Sequence, residues 1–244
     1  LKQRGCSFIG PDKGELACGE EGLGRLVPIE QAIVKIQEMV VLPAAEQIPS
    51  SVGESPLAGK IVIITTGPTR EYLDPVRFIS NNSSGKMGQA LVTAAKEAGA
   101  KVMVISGLKD RITGLTADDR FVFAPTFRMM YTTVNKYFPV SDVVIAAAAV
   151  SDYRPQYYSE KKIKADKPAV AVPLIKNKDI LAELGRRKQD KILIGFALET
   201  NDALTSAQQK MAEKNLDAVV VNSPESLGGD YTDGKILIRS GGRV

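Results

Sequence analysis

The chain of 244 residues is long enough for one large α/β domain with a tail, and its 44% hydrophobic share includes no apolar run that approaches a membrane span. The formal net charge of +4 is too small and too evenly spread to indicate nucleic-acid binding, and it suits a small anionic substrate better. The absence of histidine excludes a Ser–His triad and a histidine metal ligand, and two cysteines fit a reducing cytoplasm without disulfides.

Residues 1–41 end in an amphipathic helical pattern, and residues 42–58 form a linker that contains proline and serine. From residue 59 to residue 244, short apolar stretches alternate with helical patterns. Strands are expected near 60–66, 101–106, 121–124, 142–149, 170–175, 191–197, 218–222 and 235–239, and helices near 85–98, 127–138, 178–188 and 201–214. The alternation predicts a Rossmann-like three-layer α/β fold with a largely parallel sheet, in which the last strand could close a hairpin.

The most informative segment is the polar loop of residues 65–88, which follows an apolar strand and runs into a helix. Such loops bind phosphorylated ligands, because backbone N–H groups and the positive end of the helix dipole point at them. Arg70, Arg77 and Lys86 add positive charge to the same loop. The segment is not a P-loop, since Ser80 replaces the required glycine and Met87 the required serine or threonine. The loop therefore predicts a phosphate or nucleotide site of another type.

Four further strings follow this loop in a fixed order. They are residues 146–153 (AAAAVSDY), 161–164 (KKIK), 176–181 (KNKDIL) and 195–200 (GFALET). Together with the loop, they resemble the signatures of phosphopantothenoylcysteine synthetase, the ligase half of the bifunctional coenzyme A biosynthesis proteins of bacteria. The resemblance covers roughly residues 59–240, and it implies that residues 59–244 form the ligase domain.

The glycine-rich stretch at residues 10–25 resembles the end of phosphopantothenoylcysteine decarboxylase, the flavoprotein half of the same bifunctional proteins. This implies that residues 1–41 are a C-terminal remnant of that domain, and Leu1 in place of an initiator methionine also indicates a piece of a longer protein. Cys18 matches the proton donor of the decarboxylase family. Because the FMN-binding region and the family's active-site histidine are missing, no decarboxylase activity and no FMN are expected here. Without the resemblance, Cys18 is better interpreted as a small buried cysteine.

The ligase resemblance implies a reaction of CTP, 4'-phosphopantothenate and cysteine. The substrate carboxylate attacks the α-phosphate, pyrophosphate leaves, and cysteine then displaces CMP from an acyl-cytidylate. Mg²⁺ is expected to arrive with CTP, because the sequence shows no carboxylate cluster with metal-ligand spacing. Family members are dimers with the pantothenate site close to the interface, which implies a homodimer of the ligase domain and a larger oligomer of the full-length protein.

The substrate residues implied by the resemblance lie in the polar loop. Asn81 matches the asparagine that handles the acyl-cytidylate, and Arg77 would hold the substrate phosphate or carboxylate. Ser84 and Lys86 complete the expected substrate site. Pattern alone allows a plainer interpretation, in which residues 81–84 are turn and N-cap formers before the helix.

The nucleotide residues implied by the resemblance come from five segments. They are Ala146, Ala147, Ala148, Asp152, Lys162, Lys178, Asp179, Ile180, Leu181, Phe196, Lys210 and Lys214. Lys162 is the expected catalytic lysine, on a long polar loop that could close as a lid, with Lys161 and Lys164 as alternatives. Lys178 stands where the family usually has a first-turn proline.

Other interpretations of the nucleotide residues stay open. Phe196 could be a core aromatic residue, and Lys210 and Lys214 could be surface lysines on one helix face. An NAD(P)-dependent oxidoreductase is disfavoured by the missing glycine fingerprint and by the lack of an acid after the second strand. A non-catalytic nucleotide-binding or oligomerisation module remains a second rival. The sequence leaves the choice between CTP and ATP open.

Overall fold

The computed structural model describes residues 55–110, 112–165, 168–198, 202–222 and 235–239, together with the backbone of residues 12–15 and 21–25. The expected amphipathic helix, Cys18 and most of the expected linker lie outside the described residues. The chain divides into two units, residues 1–53 and 54–244. In the first unit, β1 (Asp12–Glu15) pairs antiparallel with β2 (Glu21–Arg25).

The second unit is built on a seven-stranded sheet. Its strands are β3 (Ile61–Thr66), β6 (Lys101–Ser106), β7 (Arg120–Phe123), β8 (Val143–Ala146), β11 (Ile192–Leu198), β12 (Ala218–Asn222) and β13 (Lys235–Ile238). The order across the sheet is β13-β12-β11-β8-β3-β6-β7, with parallel neighbours except for β13, which closes an antiparallel hairpin with β12. The predicted largely parallel α/β sheet is confirmed.

Helices cover both faces of this sheet. They are α1 (Lys86–Glu97), α2 (Phe127–Tyr137), α3 (Ile180–Gly185) and α4 (Ala203–Glu213), with a 3-10 turn at Phe138–Val140. Alternate residues of β3 point to opposite faces. Val62 and Ile64 pack with Val92 of α1, whereas Ile63 packs in the core that α2, α3 and α4 cover. The result is the expected three-layer Rossmann-like fold.

The structure corrects several details of the sequence prediction. The strand expected near 170–175 is only β10 (Leu174–Lys176), which pairs antiparallel with β9 (Tyr153–Pro155) outside the main sheet. We call this pair and the residues between its strands the arm. The helix expected near 178–188 is limited to α3. It ends at Gly185, where a Cβ atom would lie 1.9 Å from the Lys214 carbonyl oxygen.

The polar loop of residues 65–88 also contains structure that its sequence did not predict. β4 (Arg70–Tyr72) and β5 (Phe78–Ser80) form a short antiparallel hairpin. Its turn is held by Asp74, whose Oδ1 accepts the backbone N–H groups of Val76 and Arg77, each at 2.8 Å. The loop therefore reaches the helix through a rigid hairpin.

Aspartate side chains accept backbone N–H groups at the amino ends of three sheet strands. The pairs are Asp142 with Ile61, Asp119 with Val102 and Asp217 with Leu193, each at 2.8 Å. Each carboxylate also has a lysine partner: Lys60 at 3.3 Å, Lys96 at 2.6 Å and Lys188 at 2.6 Å, respectively. The hydrogen bond from the Ile61 amide lowers the pKa of Asp142, so the stability of this end of the sheet is sensitive to acid.

The fold is expected to lose stability below a pH of about 4, where unfolded carboxylates bind protons. Burial alone would raise the pKa of Asp119, but Lys96, Thr116 and the Val102 amide outweigh it and lower the pKa from 3.8 to about 2. A depressed folded pKa contributes stability that is complete above the unfolded pKa and is lost as the pH falls toward the folded pKa.

Urea unfolding as a function of pH checks this expectation. The midpoint should hold steady at neutral pH and fall through the window from about 4 to about 2. The Asp119→Asn variant should be less stable at neutral pH and show a shallower fall on acidification. If the urea midpoints of the two proteins fall in parallel as the pH is lowered, Asp119 is not responsible for the loss of stability in acid.

Candidate functional site

A cavity of about 430 Å³ opens at the carboxyl ends of β3, β8 and β11. After β3 the chain continues on one side through β6 and β7, and it then crosses to the other side at β8. The boundary between β3 and β8 is therefore the point where the strand order reverses, which is where open α/β sheets bind ligands. The lining combines buried aliphatic side chains with lysines, an amide and carboxylates.

Ten of the twelve residues that the resemblance assigned to the nucleotide line this cavity. They are Ala146, Ala148, Asp152, Lys178, Asp179, Ile180, Leu181, Phe196, Lys210 and Lys214. The other two, Ala147 and Lys162, are not among its lining residues. Segments far apart in the sequence thus meet at one place, although their contacts with a nucleotide remain a prediction.

One wall of the cavity is the segment that continues from β8 after Ala146. It runs beside the chain that leaves β3, with the Ala147 N–H donating to the Thr65 carbonyl at 3.1 Å and the Ala149 N–H to the Gly67 carbonyl at 2.9 Å. Farther along, the Ser151 N–H donates to the Thr69 hydroxyl at 2.9 Å. The alanine side chains are small, so a ligand can approach this backbone closely.

Another part of the cavity lining consists of Lys210 of α4 and Lys214, the C-cap residue that directly follows this helix. Lys210 Nζ donates to the Phe196 carbonyl at 2.6 Å, and Lys214 Nζ lies 2.7 Å from Asp179 Oδ2. Burial alone would raise the pKa of Asp179, but Lys214 and the Ala182 amide outweigh it and lower the pKa. The two lysines of one helix face are therefore directed at the cavity rather than spread over the surface.

Asp179 is the N-cap of α3, and its Oδ1 accepts the Ala182 N–H at 2.9 Å. Lys178 therefore precedes the cap and lies outside the first turn, which corrects the expectation that it would occupy a first-turn position. Its Nζ lies 5.5 Å from the centre of the Tyr131 ring. Because Lys178 lies before the helix, it does not need the fixed φ angle that proline supplies. We therefore expect lysine in place of proline to have little effect on the start of α3.

The start of α1 is held against β3 by close packing. Gly85 is the N-cap with a φ of 78°, and a Cβ atom on Gly88 would lie 1.8 Å from Thr66 Oγ1. The Ser84 hydroxyl accepts the Lys86 N–H at 3.4 Å. Ser84 and Lys86, which the resemblance assigned to the substrate, thus lie at the N-terminus of a helix of twelve residues and not in the cavity lining.

Asn81 contacts the cavity wall directly. Its Nδ2 donates to the Ala149 carbonyl at 3.1 Å, and Asn81 directly follows β5 of the hairpin. The plainer interpretation of Asn81 as a turn former does not explain a contact with a residue so distant in sequence. Asn81 therefore lies next to the segment that lines the cavity, and its role toward the acyl-cytidylate remains a prediction.

Arg77 is engaged with the protein itself. Its Nε and Nη2 donate to Asp74 Oδ2 at 3.0 and 2.6 Å, and Nη2 also donates to the Ile163 carbonyl. The side chain of Asp74 has 0% exposure, whereas that of Arg77 has 44%. Burial alone would raise the pKa of Asp74, but its hydrogen bonds to Ile163, Arg77 and Val76 hold it well below the usual range. Any substrate anion would share Arg77 with this carboxylate.

The loop that carries Lys162 docks on the hairpin. The Ile163 N–H donates to Asp74 Oδ2 at 3.0 Å, and the Ser159 N–H donates to the Leu73 carbonyl at 2.9 Å. Lys162 itself is exposed, and its side chain makes no ion pair or hydrogen bond with the described residues. Its contact with a triphosphate remains a prediction. Such a contact requires either movement of the arm or a ligand long enough to extend from the cavity to Lys162.

Sequence reasoning missed three polar residues of the site. Thr65 and Thr69 hold the alanine wall through their hydroxyl groups, and Asn177 lies in the cavity lining with 7% exposure. All three fall inside the strings that carried the resemblance. Their side chains act on the protein rather than on a ligand, so only the three-dimensional contacts reveal them.

Two observations limit what the described part of the chain contains. No group of three or more histidine, cysteine, aspartate or glutamate residues there could hold a metal ion. No helix within the same residues is long and apolar enough to cross a membrane.

Comparisons with known proteins identify the family of this chain. Residues 57–242 match the family model for the DNA/pantothenate metabolism flavoprotein C-terminal domain. The chain is 42% identical over 233 residues to the coenzyme A biosynthesis bifunctional protein CoaBC of Bacillus subtilis, covering 95% of this chain and 54% of that protein. It is 39% identical over 232 residues to a cysteine/cysteine sulfinic acid decarboxylase of an unknown prokaryotic organism, covering 95% and 62%.

Among solved structures, the C-terminal domain of CoaBC matches with a TM-score of 0.64 and 35% identity, covering 76% of this chain and 85% of that one. The chain spans about half to three fifths of the length of the two full-length relatives. The resemblance to the bifunctional coenzyme A biosynthesis proteins is confirmed. The chain belongs to the family of DNA/pantothenate metabolism flavoprotein C-terminal domains.

Proposed function

We propose that the chain is a ligase of coenzyme A biosynthesis that joins 4'-phosphopantothenate to cysteine with CTP. The observation that carries the proposal is the cavity at the reversal of strand order, because the residues expected to bind a nucleotide converge there from four separate segments. The identity to CoaBC relatives supports the same activity.

The first half-reaction is an attack on the nucleotide. A carboxylate oxygen of phosphopantothenate forms a bond to the α-phosphorus of CTP, and the bond to pyrophosphate breaks. Lys210 and Lys214 lie where they can neutralise the phosphate charge, and the small alanine side chains of the wall leave room for the nucleoside. The enzyme thus acts mainly by positioning and electrostatics, as its lack of histidine requires.

The second half-reaction consumes the acyl-cytidylate. The cysteine amine attacks the acyl carbon, and CMP leaves with one oxygen of the original carboxylate. Asn81 can donate to and accept from the intermediate, because an amide offers both functions beside the wall. A site sheltered from water protects the anhydride, which is the role proposed for the loop that carries Lys162.

Magnesium is proposed to enter with the triphosphate, whose charge it would help to neutralise. The exposed Asp152 carboxylate lies in the cavity lining, where a cation bound to the triphosphate would be. Asp152 would accept a hydrogen bond from a water of the hydrated cation. FMN is expected only in the part of the relatives that this chain does not span.

We also propose a homodimer through the hairpin and the arm. Both carry large apolar side chains that face solvent, among them Val76 at 57% and Tyr157 at 71% exposure. The others are Phe78, Ile79, Tyr158, Val170, Val172 and Leu174. A second copy of the chain would cover this surface and bring two such sites together.

The double variant Val76→Glu/Tyr157→Glu is expected to be monomeric, because a buried interface excludes unpaired carboxylates. Light scattering after gel filtration should give about twice the 26.2 kDa chain mass for the unaltered protein and the single mass for the variant. Val140→Glu is a matched control, since Val140 is 59% exposed but lies beyond the C-terminus of α2. A dimer that survives both glutamates places the interface elsewhere.

Pyrophosphate release by the purified chain tests the function. The assay contains Mg²⁺, phosphopantothenate and cysteine, with CTP or ATP. Pyrophosphate release that requires phosphopantothenate and prefers CTP supports the proposed ligase. Release with ATP alone supports the ligase reaction but shows that the nucleotide is ATP rather than CTP. A folded chain that binds nucleotide without release would instead be a non-catalytic module.

A further inference from the structure

Asn177 lies at the junction between the cavity and the arm. It follows β10 directly, is 7% exposed and lines the cavity. Its N–H donates to the Asp152 carbonyl at 2.7 Å, and Asp152 directly precedes β9. Both strands of the arm therefore leave the cavity wall at Asn177 and Asp152.

The Asn177 side chain closes this junction with two further hydrogen bonds. Nδ2 donates to the Ser151 carbonyl at 2.7 Å, and Oδ1 accepts from Arg154 Nη1 at 2.6 Å. The orientation of the amide is fixed by chemistry, because a guanidinium can only donate and a carbonyl can only accept. One buried amide thus joins the last residues of the wall to the first residues of the arm.

Two segments of the proposed ligase site depend on this junction. On one side, Ser151 and Asp152 end the wall that faces the cavity. On the other side, the residues between β9 and β10 carry Lys162. We infer that Asn177, supported by Arg154, is a positioning residue that fixes the Lys162-bearing arm relative to the nucleotide cavity. This inference rests on the proposed function.

A purely structural asparagine would behave differently from a positioning residue. Loss of a structural hydrogen bond lowers the unfolding temperature and leaves the kinetics of the remaining folded enzyme unchanged. Loss of a positioning contact shifts groups relative to the nucleotide, and displacements of about 1 Å can change rates severely. Kinetic constants and thermal stability, measured on the same variants, separate these two roles.

The variant Asn177→Asp is nearly isosteric and removes the donor to Ser151, and because it also adds a negative charge to the cavity lining, Asn177→Leu serves as the uncharged comparison and should show the same fall in kcat/KM. A carboxylate still accepts from Arg154, but it cannot donate to the Ser151 carbonyl and repels it instead. We expect kcat/KM for CTP in pyrophosphate release to fall at least about tenfold. Arg154→Met removes the other contact and should produce a smaller fall in the same constant.

Asp217→Asn is the matched stability control. Asp217 accepts the Leu193 N–H and pairs with Lys188 at the amino end of the sheet, so its loss should lower the unfolding temperature without changing kcat/KM. The inference is overturned if Asn177→Asp loses stability like this control and keeps the kcat/KM of the unaltered chain. If the unaltered chain releases no pyrophosphate with CTP or ATP, the proposed function and the inference both fail.

Discussion

Replacing Lys162 by methionine is expected to lower kcat for pyrophosphate release by roughly 10²–10³-fold, the usual loss when one preorganised charge stabiliser is removed. The Lys162 side chain has no partner among the described residues, so the folded protein does not use its charge. Methionine retains an apolar stem of similar length. We therefore expect thermal denaturation to give an unchanged unfolding temperature, and the pyrophosphate assay to give the lowered kcat.

The neighbouring lysines of the same loop provide the matched controls. Lys161→Met and Lys164→Met remove the same charge from the same segment, and each should change kcat by only a few fold. A larger loss in either control would show that it, rather than Lys162, is the catalytic lysine. Equally small changes in kcat in all three variants would show that no lysine of this loop is catalytic.

Lys210→Met is expected to weaken CTP binding roughly 10- to 100-fold, the value of a charge-assisted hydrogen bond to phosphate. Lys210 Nζ lies 2.6 Å from the Phe196 carbonyl, which directs the ammonium group toward the cavity. Because the group would bind the nucleotide both before and during reaction, the affinity should fall more than kcat. Calorimetric titration with CTP and Mg²⁺ measures the change.

A control for Lys210 comes from the opposite end of the sheet. Lys60 forms an exposed ion pair with Asp142 at 3.3 Å, and Lys60→Met removes the same net charge far from the cavity. Its effect on the CTP dissociation constant should be within about twofold. An unchanged dissociation constant in Lys210→Met would exclude Lys210 from the nucleotide site and favour a role for α4 in packing alone.

The sheet and most helices could be predicted because each carries its own periodic pattern. The apolar runs at β3, β6 and β11 are long enough to identify, and α1, α2 and α4 lie close to their expected ranges. The hairpin of β4 and β5 and the strand β9 could not be predicted, and only the approximate position of β10 was expected, near 170–175. Each of these strands has three residues, and their geometry depends on contacts such as those of Asp74 with Ile163, which are distant in sequence.

The candidate site was predicted by resemblance more than by local pattern. The resemblance identified the segments that meet at the cavity, but not how their side chains are already engaged. Arg77 is paired with a fully buried carboxylate, and Lys162 lies with the hairpin rather than in the cavity lining. Asn177 sits in one of the matching strings, yet its role in joining wall and arm depends on the three-dimensional positions of Ser151 and Arg154.

Isotope transfer from the substrate carboxylate tests the central claim most directly. The chain is incubated with CTP, Mg²⁺, cysteine and phosphopantothenate whose carboxylate carries the heavy oxygen isotope, and the products are analysed by mass spectrometry. An acyl-cytidylate predicts one heavy oxygen in CMP, none in pyrophosphate, and phosphopantothenoylcysteine in equal amount. Heavy oxygen in inorganic phosphate together with CDP would reveal an acyl phosphate instead, and would contradict the proposed mechanism.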